Sequence, residues 1–147
     1  MSLAFTEILR GSYFLVDAPD VRRVCEVAIH VRISRSALRS AEFDAEMTGH
    51  ASFDRLVGHA PIAGQAHVRF GRPRHVAYAF EFTADDGRVL QFSGAKHPSL
   101  MRPIYSATTL WGTLSHDNLP VAMVRLHFDL RRDLVAFLQS VAREQNP

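Results

Sequence analysis

The chain has 147 residues, of which 47% are hydrophobic and 22% charged, with a formal net charge of +2. These are ordinary globular values, which exclude a disordered chain, and the length is enough to bury one core without covalent staples. A single cysteine, Cys25, excludes an intramolecular disulfide and any metal site built from cysteines.

No window approaches the roughly 20 apolar residues that a membrane-spanning helix needs. The opening segment MSLAFTEILRGSYFLV lacks a basic stretch followed by an apolar one, so the expectation is a cytoplasmic protein without a signal peptide. Basic residues are spread along the chain. The densest run, Arg69 to His75, has a Gly-Arg-Pro centre that reads as a turn between strands, and no nucleic-acid partner is expected from it.

In chain order, residues 23–33 alternate cleanly. Cys25, Val27, Ile29, Val31 and Ile33 fall on one face, and Glu26, Ala28, His30 and Arg32 on the other, the period of a half-buried strand. Ser34 then offers a capping oxygen, and Ala37, Leu38 and Ala41 predict a short helix near 35–43. Residues 46–54 suit a further strand. Ala66, Val68 and Phe70 alternate with polar neighbours, as do Val76, Tyr78, Phe80 and Phe82. Asp85-Asp86-Gly87 follows as a hairpin loop, with a returning strand over 89–95.

Residues 104–115 are rich in β-branched and aromatic types, and His116 to Pro120 reads as a turn. Ala122, Val124, Leu126 and Phe128 then mark another strand. Leu134, Phe137, Leu138 and Val141 predict a C-terminal helix near 130–143.

The two ends look alike. Leu9-Arg-Gly11-Ser matches Leu110-Trp-Gly112-Thr, and Ile29 to Ile33 matches Val124 to Phe128. Units 5–43 and 104–143 would then be strand–strand–helix repeats, their helices related by an approximate two-fold axis. The fold class expected is mainly β (α+β) in one domain over 1–147: an antiparallel β barrel or strongly curled sheet of about seven to nine strands.

The chemistry-bearing residues form no established motif. The eight histidines show no metal-ligand spacing, so no metal and no cofactor are expected. Cys25 falls on an apolar strand face, where a thiol acts as a small hydrophobe with a raised pKa. Glu81 is a candidate acid or base if it reaches into a barrel, because its same-face neighbours Ala77 and Ala79 are small. Lys96 is the chain's one lysine among arginines, a compact titratable amine at a strand end and a second catalytic candidate. Tyr78, Lys96, Tyr105 and Trp111 are the candidate ligand-binding residues, the aromatics as pocket walls.

The series Phe5 to Gly11, Leu90-Gln-Phe-Ser-Gly94-Ala-Lys96, Ala107-Thr108-Thr109-Leu110, and Val124-Arg-Leu126 into Asp133 to Leu138 resembles an uncharacterised β-rich module. That module occurs attached to cholesterol-oxidase-type (GMC) flavin oxidoreductases and to α/β-hydrolase-like proteins in bacteria. The resemblance carries over Gly11, Gly94, Lys96, Thr108 and Thr109. This chain lacks the G-x-G-x-x-G and the nucleophile elbow of those enzymes, so their activity does not transfer. What the resemblance implies is an accessory role near lipid, sterol or alcohol metabolism.

Three functions are therefore in view. The first is a non-catalytic module binding an apolar, lipid- or sterol-like small molecule, or docking on an oxidoreductase. The second is a small isomerase, cyclase or hydrolase with a polar site inside a barrel. The third is a homodimer joined through a sheet edge or the C-terminal helix.

Overall fold

Alternation of buried and exposed side chains gives most of each strand an inner and an outer face, and eight such strands close on themselves. The computed structural model describes residues 2–34, 36–69, 75–96 and 109–127. The strands are β1 (Ser2–Leu15), β2 (Ala18–Ser34), β3 (Glu42–Phe53), β4 (Val57–Arg69), β5 (His75–Thr83), β6 (Val89–Lys96), β7 (Thr109–His116) and β8 (Leu119–His127). Each pairs antiparallel with the next, and β8 returns to β1 over Arg10–Leu15, giving a closed up-and-down barrel.

One end of the barrel is closed by tight turns. Asp117 and Asn118 both adopt positive φ, 50° and 66°, the backbone of a two-residue hairpin whose twist matches its strands. The expected hairpin at Asp85-Asp86-Gly87 is present, with Gly87 at φ 90° and Asp86 accepting the Arg88 N–H at 3.0 Å. Arg55 turns β3 into β4, and the Tyr13 hydroxyl donates to the Asp54 carbonyl from inside.

The expected helix near 35–43 is reduced to one 3-10 turn at Ala37–Arg39. Its N-cap residue is Ser36, not Ser34, and makes no side-chain cap; the Ser34 Oγ instead accepts the Ala37 N–H at 3.2 Å. The turn stops because Glu42 and Phe43 already pair with Arg69 and Val68 as the start of β3. The helix expected near 130–143 lies outside the described residues, and so does any test of a two-fold relation between the helices. The two hairpins that carry the Leu-x-Gly likeness sit side by side, joined through the β1–β8 ladder.

An eight-stranded barrel is just wide enough for side chains to fill it. Here the filling is aromatic. Phe80 stacks on Phe92 with ring centroids 4.6 Å apart, Phe53 on Phe82 at 5.4 Å, and Tyr13 meets Phe53 edge-on at 5.3 Å. Leu9, Val27, Ile29, Met47, Leu90 and Leu114 complete the core with no exposure. Cys25 lies inside, and burial pushes its thiol pKa up to about 12.

Such a core needs backbone room as well as bulk. Gly94 and Gly112 are direct partners on β6 and β7, and the Phe92 ring lies over both. A Cβ at Gly112 would sit 2.4 Å from Phe92 Cζ, and one at Gly94 would sit 2.8 Å from it. At Gly11 the close approach is to backbone: a Cβ there would fall 1.8 Å from the Arg125 carbonyl oxygen on β8. Glycine at these points lets neighbouring strands coil tightly enough to close.

On the outer wall, His67 of β4 bridges two carboxylates of β3, with Nδ1 2.7 Å from Asp44 and Nε2 2.7 Å from Glu42. Hydrogen bonds to Asp44 and then Glu42 raise its pKa above the usual histidine value. A raised folded pKa means that the contribution is complete below about pH 6.5, the free histidine value, and fades as pH climbs through the folded value.

Two stability measurements follow from this packing. Gly112→Ala should cost about 1–3 kcal/mol by overpacking against Phe92, measured by chemical denaturation. Gly58→Ala, where a Cβ meets nothing within 4 Å, should change stability by less than about 0.5 kcal/mol. The gap in denaturation midpoint between the wild type and His67→Gln should be wider at pH 6 than at pH 9. An equal gap at both pH values would mean that the His67 carboxylate contacts do not form in solution.

Candidate functional site

The sequence candidates do not converge. Tyr78 is only 4% exposed and points inward from β5, between Ala66 and Gly94. Trp111 points outward from β7 and is 55% exposed. The wall of the barrel stands between them, so Tyr78 belongs to the core and not to a pocket with Trp111. Glu81 corrects the expectation of a carboxylate inside the barrel: it is exposed on the outer face, between Ala63 and Gln91. Its parity on β5 is opposite to that of Phe80 and Phe82, which occupy the interior.

Lys96 is the last residue of β6 and pairs with Val76; only its backbone is described. Tyr105 and Thr108 lie outside the described residues. Thr109 is 2% exposed, and its hydroxyl is hydrogen-bonded to His127 Nδ1 at 3.2 Å. Burial first, and the nearby positive Arg125 second, lower the His127 pKa. Gly11 and Gly94 act through close packing, as described above.

Of the candidates whose side chains are described, Tyr78 and Trp111, Trp111 lies in a concavity. Register places it between Ala95 and Arg125, and Arg125 is in turn beside Ser12. The next row outward of the same wall runs Ser93, Thr113, Met123 and Phe14. A groove of about 160 Å³ opens between these rows, bounded by Trp111, Met123, Phe14, Ser12, Arg125 and Arg22. On the other side of Trp111, Ala77, Ser93 and Ala95 form a low shelf, because none carries bulk beyond Cβ or Oγ. Val24, 70% exposed, and Met123, 41% exposed, extend the apolar strip.

Arg125 gives the groove its charge. Its guanidinium carbon lies 5.7 Å from the Trp111 ring centroid, within cation–π range. Its Nε is buried and has no hydrogen-bond partner among the described residues. No carboxylate among the described residues lines the groove. Chemically the groove offers an aromatic plate, a thioether, a hydroxyl and guanidinium donors, with no nucleophile–base pair among the described residues.

Sequence reasoning reached Trp111 but missed Arg125, Met123, Phe14, Ser12 and Arg22. Alternation already set Met123 and Arg125 on the polar face of their strand. Nothing local shows that β8 returns to β1, and that pairing is what brings Ser12 and Phe14 beside them.

Among the described residues, no group of three or more histidine, cysteine or acidic side chains is placed to hold a metal ion. His50 and His59 stack face to face at 4.4 Å, a packing contact and not a convergent ligand pair. No helix among the described residues is long and apolar enough to cross a membrane. No family model, no curated protein and no solved structure matches this chain.

Proposed function

We propose that this protein is a non-catalytic binding module that takes an apolar, lipid- or sterol-like small molecule against Trp111 on the outer wall of its barrel. The observation that carries this reading is the exposure of the chain's sole tryptophan on a concave apolar strip. Large aromatic surface left in water is costly, and a contiguous apolar patch flanked by polar groups is the usual mark of a binding surface. The resemblance to a module attached to GMC oxidoreductases suggests the setting: an accessory that presents such a molecule to an oxidoreductase partner. The alternative of a small enzyme with an interior acid or base loses Glu81, which lies outside. The alternative of a homodimer joined through a sheet edge finds no free edge among the described strands, which close into a barrel, and the expected C-terminal helix lies outside the described residues. A dimer across the Trp111–Met123 strip is separated by the experiment below.

Trp111 is its own reporter. Titrating the protein with 1-decanol below its solubility limit should shift the tryptophan emission to shorter wavelength in a saturable way. Ala95→Gln, which puts bulk on the shelf beside Trp111, should weaken the response at least fivefold without moving the thermal midpoint. A concentration-dependent blue shift in the absence of decanol, with dimer in sedimentation, would favour the homodimer instead. An unresponsive tryptophan would remove the reading.

A further inference from the structure

We infer that the ligand of the Trp111 groove is an amphiphile with an anionic head group, held by Arg125 and Arg22 while its apolar body lies on Trp111 and Met123. This rests on the binding reading above and adds the chemistry of the head.

Three observations point to an anion. Two guanidinium side chains border the groove, and no carboxylate among the described residues does. Neither Arg22 nor Arg125 makes an ion pair among the described residues, although Arg10 and Arg88 each hold a carboxylate at 2.9 and 2.7 Å. The Arg125 Nε is buried without an acceptor. A buried donor left unpaired is destabilising, and none of the described residues supplies its acceptor.

The layout of the wall orders the two ends of such a ligand. Ser12 lies directly beside Arg125 in the β1–β8 register, so its hydroxyl offers a further donor to an oxyanion. The shelf of Ala77, Ser93 and Ala95 lies on the far side of Trp111, where an apolar chain or ring system can lie flat. Arginine forks match a carboxylate or a phosphate equally well in geometry. The shared chemistry is therefore the oxyanion, offered by a free amphiphile and not by a membrane surface, because the groove holds about 160 Å³ and is bounded on several sides.

The test compares decanoate, 1-decanol and decylammonium, all below their aggregation limits, by Trp111 emission at low ionic strength. Decanoate is expected to bind at least tenfold more tightly than decanol, and decylammonium more weakly than either. Arg125→Gln should bring decanoate down to the affinity of decanol. Arg22→Gln, at an exposed residue whose loss does not threaten folding, should remove at least threefold of the preference. Raising the salt to about 0.5 M should shrink the preference in the wild type.

Equal binding of decanoate and decanol would overturn the anionic head and leave the binding function standing. No response to any of the three would remove the binding function, and this inference with it. Flotation with phosphatidylglycerol vesicles, without any response to monomeric decanoate, would also overturn it by assigning the groove to a membrane surface.

Discussion

The Phe92 ring, whose outer end reaches over the paired Gly94 and Gly112, is the contact on which the rest of this structure depends. An eight-stranded ring has little interior space, and aromatic side chains can occupy it only where the facing backbone carries none. With that space given to Phe92, Phe80 can stack on it, and the chain of rings continues through Phe82 to Phe53 and Tyr13. Closing the ring makes the same demand at Gly11, where β1 meets β8. The described interior is consequently side chains in contact, a core instead of a vessel.

With the described interior filled, the binding we propose falls to the outer wall. Ordinary barrel exteriors divide charge and apolar surface residue by residue, as Arg10 and Glu26 do two residues along from the groove. Around Trp111 the pattern changes: small residues on one side, Met123 and Phe14 on the other, and an arginine laid against the indole. The arginine lies against the ring, and its Nε has no hydrogen-bond partner among the described residues. His127 sits next to this charge, and its partial burial first and Arg125 second favour its neutral form, leaving Arg125 and Arg22 as the positive groups at the groove.

Much of the scaffold was legible in the residues because alternation is a local signal. Cys25 to Ile33 and Val76 to Phe82 announce which face is buried, and Asp85-Asp86-Gly87 announces its hairpin. The repeated Leu-x-Gly at 9–11 and 110–112 also has a physical reading. In both strands the leucine is fully buried, and the glycine two residues on meets a neighbour too close for a Cβ. The helix expected at 35–43 failed for a non-local reason, since Glu42 and Phe43 are claimed by β4. The site was less legible for the same cause. Tyr78 and Trp111 were grouped as pocket aromatics, yet parity against Phe80 and Leu110 sends them to opposite faces. Ser12 and Phe14 join Arg125 only through ring closure across more than a hundred residues of chain.

The central claim is that the barrel interior is filled and the outer wall does the binding. Methyl-resolved NMR during a decanoate titration tests it most directly. The methyl of Met123 should shift strongly, while those of Val27, Ile29, Leu90 and Leu114 stay where they are. Saturable shifts at the interior methyls, with Met123 unmoved, would show that the ligand enters the barrel and would contradict the claim.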